Sequence, residues 1–222
     1  MNAMVPLGDQ AVLVYCADEN AALRLAARVR EARETWLLDV VQAYTSVAVF
    51  FDLGQTTFAP VAEWLRRFQD AGAALGSMPE GRHHRIPCCY EFELDVRRVS
   101  EHTGLTADEV IRLHTTTKFT VYAIGFCPGF PYLGYLPAPL RGVPRLPTPR
   151  LRVEAGSVGL TGRQTGIYTE ARPGGWNLLG RTPLELVNVR DDYFPLRTGD
   201  VVRFERIDTA EFRHLEAQRL SL

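Results

Sequence analysis

Lysine is almost missing from this chain. One residue of the 222, Lys118, is lysine, against 24 arginines. The scarcity excludes several kinds of chemistry. A Walker A phosphate loop needs Gly-Lys-Ser/Thr, and Lys118 lies in TTTKFT. A biotin-accepting lysine is normally flanked by methionines, and this one is not. An amidase-type Ser-Ser-Lys triad would have to use Lys118, which has no Gly/Ser-rich segment beside it. Any ATP-driven or biotin-dependent step therefore needs equipment from another chain. The four cysteines, Cys16, Cys88, Cys89 and Cys127, form no CxxC pair. A disulfide framework or structural zinc site is not expected. The five histidines show no HExxH or HxH spacing, so no metal site is expected either. No run of about 18 apolar residues occurs, which argues against a membrane-spanning helix. The opening MNAMVPLGDQ lacks the basic and apolar parts of a signal peptide, and cytoplasmic residence is the expectation. A formal net charge of −1 gives no overall attraction to nucleic acid or to acidic membranes.

The first part of the chain alternates strand and helix patterns. Residues 11–16 (AVLVYC) are short and apolar, as in a buried strand. Residues 20–33 place Leu25, Val29 and Ala32 at helical spacing. Residues 38–44 and 47–52 read as two strands. Pro60 opens a second helix, whose apolar stripe Val61, Leu65, Phe68 runs toward Leu75. Residues 76–84 read as a polar connection, and 85–91 as a further strand. The order β-α-β-β-α-β predicts a ferredoxin-like split βαβ arrangement, with a domain covering 1–84 and a second covering 85–222. The second part opens with two short helices. One ends at Gly104. The other starts in a Thr106–Glu109 capping box and carries Val110, Leu113 and His114. Short strands divided by Gly/Pro turns follow: 121–124, 157–160, 176–179, 184–189 and 200–205. That pattern suggests a barrel or sandwich.

What is present in excess is glycine and proline between residues 121 and 181. The run reads VYAIGFCPGFPYLGYLP, then PRLPTPRLRVEAGSVGLTGRQTGIY, then PGGWNLLGRTP. Glycine opens backbone geometries closed to other residues, and proline fixes φ and removes a donor. The stretch is too rich in Phe, Tyr, Leu and Val for a linker. It reads as a set of tight turns shaping a pocket.

These motifs, with PLGDQAVLVYC, QAYTSVAVFFD and TGDVVRF outside the run, resemble the allophanate hydrolase subunit 1 family. That family includes the B subunit of 5-oxoprolinase (PxpB) and the kinase inhibitor KipI, and a related domain occurs in the carboxyltransferase part of urea carboxylase. The resemblance covers nearly the whole chain. It implies an α+β protein: a small ferredoxin-like α/β N-terminal domain followed by a cyclophilin-like β-barrel domain. It further implies a component of an ATP-dependent 5-oxoprolinase, which opens a cyclic amide to glutamate. The partners would be a subunit 2 or PxpC-type protein and a PxpA-type subunit, with ATP used by the complex and no cofactor bound by this chain. Two other roles occur on the same pattern: inhibition of a sensor histidine kinase, and a part in urea or allophanate carboxyl transfer. The sequence departs from the family pattern at Glu154, where proline is usual, at Arg163 for asparagine, at Tyr135 for glycine, and at Ala171-Arg172. Glu154 and Arg163 are large chemical changes beside the expected pocket.

The candidate site residues come from these motifs. His114 would transfer a proton near neutral pH, unless it only caps a helix C-terminus. Phe126, Phe130 and Tyr132 would wall a small-molecule pocket, or else pack a turn. Arg150 and Arg181 are candidates for holding a carboxylate through two parallel hydrogen bonds, or are surface arginines. Gln164 and Thr165 would orient a lactam, and Tyr168 would stabilise a developing oxyanion; turn hydrogen bonding is the plainer reading. Trp176 would stack on a flat ligand or fill the barrel. Lys118 ranks below His114, and Cys127 reads as a small buried apolar residue.

Overall fold

The computed structural model describes residues 3–70, 80–92 and 94–220. The expected continuation of the second helix to Leu75 lies outside the described residues, as do residues 76–79 of the expected connection. The chain divides into two compact units, Met1–Glu80 and Gly81–Leu222.

In the first unit the strands are β1 (Met4–Pro6), β2 (Ala11–Tyr15), β3 (Leu37–Ala43) and β4 (Ser46–Phe51). They form an antiparallel array in the order β1-β2-β4-β3. Helix α1 (Glu19–Glu31) starts where the Asp18 side chain accepts a hydrogen bond from the Ala21 amide at 2.7 Å. It buries Ala22, Leu25, Ala26 and Val29, an i, i+3, i+4, i+7 stripe. That stripe, with Val61 and Leu65 of α2 (Phe58–Asp70), closes over Val12, Val14, Val47, Val49 and Phe51. Each such fully buried side chain contributes roughly 1.5–3 kcal/mol. One detail differs from expectation. The strand beside β2 is the unforeseen N-terminal β1. The last strand of the expected β-α-β-β-α-β order, which the 1–84 and 85–222 bounds leave to either domain, is β5 (His83–Cys89) and lies in the second unit.

The second unit is a closed seven-stranded barrel. Its other strands are β6 (Phe119–Ile124), β7 (Pro131–Gly134), β9 (Ser157–Thr161), β10 (Gln164–Ile167), β12 (Asn177–Arg181) and β13 (Val201–Ile207). Their order around the barrel is β6-β13-β5-β12-β9-β10-β7, and β7 pairs with β6 to close the ring. The β13–β5 pair is parallel, from Val201 beside His83 to Ile207 beside Cys89. A separate two-stranded ribbon joins β8 (Arg150–Val153) and β11 (Arg172–Gly174). Strand β6 alternates buried and half-buried residues, as period-2 geometry dictates. Phe119, Val121, Leu133, Leu160, Ile167, Val202 and Phe204 fill the interior.

Helices α3 (Val96–Thr103) and α4 (Ala107–Thr116) add Val96, Val99, Val110 and Ile111 to the same core. The Thr106–Glu109 capping box forms in both directions. Asp95, just before α3, ties three elements together. Its Oδ2 accepts from the Leu178 amide and its Oδ1 from Arg150 Nη2, both at 2.7 Å. Asp95→Ala would leave a buried amide and a guanidinium without their acceptor. The expected result is a loss of about 2–3 kcal/mol in urea unfolding.

The expected strand at 184–189 is corrected. Its backbone is committed to loops instead: Glu185 N donates to Gln218 O and Asn188 N to Tyr193 O. Only isolated bridges form there. The last helix is α5 (Thr209–His214), capped by Asp208.

Candidate functional site

The glycine–proline run builds one wall after another of an aromatic pocket. The turn 125–130 is closed by Gly125 N donating to Phe130 O and Phe130 N to Cys127 O, each at 3.2 Å. Thr169 Oγ1 ties this turn to the strand end opposite by donating to Pro128 O at 2.7 Å. Phe130 stands edge-on to Tyr168 (5.3 Å between centroids, 87°) and to Trp176 (5.5 Å, 87°). Tyr132 leans on Phe130 at 4.9 Å, and Phe126 meets Phe130 at 5.4 Å. Edge-to-face packing of this kind fixes ring positions. Two glycines permit it. A Cβ at Gly166 would lie 2.8 Å from Pro131 O and 2.9 Å from the Trp176 ring; one at Gly174 would lie 2.3 Å from the Tyr168 hydroxyl.

The cavity between these rings is about 230 Å³. Phe126, Phe130, Tyr132, Tyr168 and Trp176 line it, with Pro149, Pro173 and Arg145. Phe126 is 59% exposed and Phe130 2%, so the pocket runs from an open rim to a buried floor. Arg145 is the cation of this pocket, and its side chain forms no ion pair or hydrogen bond among the described residues. Burial pushes the Tyr132 and Tyr168 phenols above their ordinary pKa; the nearby Arg145 opposes this without overcoming it. Both hydroxyls therefore remain protonated, as hydrogen-bond donors.

Five of the expected residues thus share one pocket, and the other five lie elsewhere. His114 is fully buried in the barrel core. Its ring stacks on Phe204 at 4.5 Å. The Thr165 hydroxyl donates to Gly159 O at 2.9 Å, so it accepts from His114 Nε2–H at 3.0 Å. His114 Nδ1 then accepts from the Tyr90 hydroxyl at 2.8 Å. Burial lowers the imidazole pKa to about 3. His114 therefore lies in the sealed core, with both ring nitrogens engaged, and does not line the aromatic pocket. Thr165 is buried beside it, donating to Gly159 O and accepting from His114, and is likewise outside the lining of the pocket.

Arg150 is occupied by Asp95 and does not line the pocket; its Nη1 is buried without a partner among the described residues. Arg145, missed in the sequence, takes the position expected of it. The cue was present in VPRLPTPR, where both arginines sit in the same proline-rich segment. Gln164 opens β10 opposite Gly134 and Thr161, outside the pocket. Arg181 faces a different, larger cleft of about 530 Å³. The departures from the family pattern are also explained in part. Arg163 lies over the Tyr135 ring at 4.6 Å, so these two unusual residues satisfy each other. Glu154 pairs with Arg152 at 2.6 Å on the surface. Neither Arg163 nor Glu154 lines the aromatic pocket.

The sequence profile of the carboxyltransferase domain, subdomain C and D, matches residues 2–196. The chain belongs to this family. It is 34% identical to the B subunit of 5-oxoprolinase from Bacillus subtilis (strain 168) over 224 residues, 93% of each chain. Among solved structures it is similar to the crystal structure of TTHA0988, with 33% identity and a TM-score of 0.77 over 90% of its length. There it spans 40% of the longer chain. The urea carboxylase of Kluyveromyces lactis shares the fold, with a TM-score of 0.74 at 17% identity, covering 99% of this chain and 23% of that one. Among the described residues, no helix is long and apolar enough to cross a membrane.

Proposed function

We propose that this chain is the B subunit of an ATP-dependent 5-oxoprolinase. It acts with a subunit 2 or PxpC-type partner and a PxpA-type subunit, opening the lactam of 5-oxo-L-proline to L-glutamate. The observation that carries the reading is the rigid aromatic pocket with a guanidinium, Arg145, left unpaired among the described residues. A small cyclic amide bearing one carboxylate is complementary to it. The aromatic lining, Phe126, Tyr132 and Trp176 among it, would pack against the lactam ring and exclude water, while Arg145 pairs with the carboxylate. Tyr132 and Tyr168 offer hydrogen bonds to the lactam oxygen. In this role Tyr168 orients and polarises; it does not abstract a proton, because its phenol is held protonated. On this reading ATP and the activating groups are supplied by the partner chains. Dependence on ATP argues for a cytoplasmic assembly.

At the level of fold, we assign the barrel to the cyclophilin-like type and the first unit to a ferredoxin-like plait. The second assignment is supported by β2 and β3 flanking β4, with α1 as the crossover.

Arg145→Gln in the complete assembly tests the reading of the pocket. Losing a charge-assisted pair should raise the KM for 5-oxoproline by about tenfold or more, with a smaller change in kcat. An unchanged KM would remove Arg145 from substrate binding.

A further inference from the structure

Behind Tyr168 lies the larger cleft, of about 530 Å³, which the aromatic pocket does not use. Tyr168 is common to the two linings, which otherwise differ in chemistry. The cleft is floored by Leu184, Leu186, Val187 and Phe212. Its charged groups are Arg181, Glu185 and Glu216.

Their states differ. Glu185 is spent: its Oε2 accepts from Arg219 Nε and its Oε1 from Asn188 Nδ2, both at 2.8 Å. Arg181 is anchored through Nε to Ala155 O at 2.8 Å, with its guanidinium near the Phe212 ring, 5.9 Å from the centroid. Neither terminal nitrogen of Arg181 has an ion-pair partner among the described residues. Glu154 feels the Arg181 charge at longer range but is itself paired with Arg152. Thr182, beside Arg181, accepts from the Leu184 amide at 3.4 Å and has a proton to offer. Glu216 is exposed and likewise forms no ion pair among the described residues. Arg181 and Glu216 line the same cleft without bridging each other.

Glu185 is held in place by residues outside the lining. Arg219 clamps Glu185 and Asp191 and lies over the Tyr193 ring at 4.6 Å. The Tyr193 hydroxyl accepts from Leu220 N at 2.9 Å. A preformed, apolar-floored cleft that presents an unbridged cation and an unbridged anion is complementary to a small zwitterion. A dianion such as phosphate would meet Glu216 unfavourably.

We propose that this cleft binds an α-amino acid with an apolar side chain, Arg181 holding its carboxylate and Glu216 its ammonium group. The site is distinct from the lactam pocket and stands independently of the 5-oxoprolinase reading. 5-Oxoproline fits it poorly, because an amide nitrogen carries no positive charge.

The test is a heteronuclear NMR titration of the full chain with L-leucine, N-acetyl-L-leucine and L-leucinamide. L-Leucine should shift resonances around Arg181, Leu184 and Glu216 and leave those of Phe126 in place. Removing either ligand charge should weaken binding by about tenfold or more. Arg181→Gln and Glu216→Gln should each do the same. Glu216 is on the surface, so that variant keeps the fold even if Arg181→Gln does not. Glu216→Gln should also abolish the preference for L-leucine over its N-acetyl form. No shifts with L-leucine, shifts confined to the aromatic pocket, or equal binding of the three ligands would overturn the proposal.

Discussion

His114→Ala is expected to lower the unfolding free energy by about 3–5 kcal/mol, measured by urea denaturation. The substitution removes a ring stacked on Phe204 in the middle of the barrel core. It also strips the buried Tyr90 hydroxyl of its acceptor, while Thr165 loses a donor but keeps its own bond to Gly159 O. His114→Phe should recover part of the loss, since it restores volume without the hydrogen bonds. The same residue sets an acid limit. In the folded chain its pKa is about 3, while the unfolded chain has the ordinary value of 6.5. Between those values the unfolded state binds the extra proton. The stabilisation is complete above pH 6.5 and is lost as pH falls toward 3, by roughly 4–5 kcal/mol in all. That part of the pH dependence should vanish in His114→Phe. A His114→Ala variant within 1 kcal/mol of wild type would contradict the buried network (~1 kcal/mol being one ordinary hydrogen bond).

Trp176→Ala carries the second large effect. Trp176 is 5% exposed and contacts both Phe130 and Tyr132. Its loss opens the floor of the pocket to water and frees the rings it holds. In the reconstituted assembly, kcat/KM for 5-oxoproline should fall by about 100-fold, a loss near 3 kcal/mol. Part of that loss is stability, because the residue is core as well as wall. Phe126→Ala separates the two contributions. Phe126 sits at the rim, so its removal should leave urea unfolding within about 0.5 kcal/mol of wild type while raising KM severalfold. Unchanged kinetics in both variants would exclude the aromatic pocket from substrate binding.

The pocket was legible in the sequence because its cause is local. Tight turns around 125–131 and 172–176 bring Phe126, Phe130 and Trp176 together, and glycine and proline mark those turns directly. The strands carrying the pocket were harder to see. β7 and β10 are four-residue segments containing glycine, too short for a period-2 pattern to stand out. Residues 184–189 show the reverse case: an apolar run that looks like a strand but spends its backbone on the C-terminal segment and on a local turn. β5 could not be assigned to its partners from sequence, because its parallel neighbour β13 begins 118 residues later.

The site residues divide in the same way. Arg145 and Arg150 share one proline-rich segment that ends in β8, and only the fold decides which of them Asp95 captures. His114 had a readable signal that favoured the core. It falls at i+4 from Val110 and i+3 from Ile111, both of which are buried. A histidine on the apolar face of an amphipathic helix points inward with its neighbours, whatever its chemistry suggests.

Whether this chain supplies an essential part of a 5-oxoprolinase is tested most directly by ATP-dependent release of glutamate from 5-oxoproline. The two partner chains are present throughout, and this chain is added or omitted. Turnover is expected only when the chain is present. Equal rates with and without it would contradict that role.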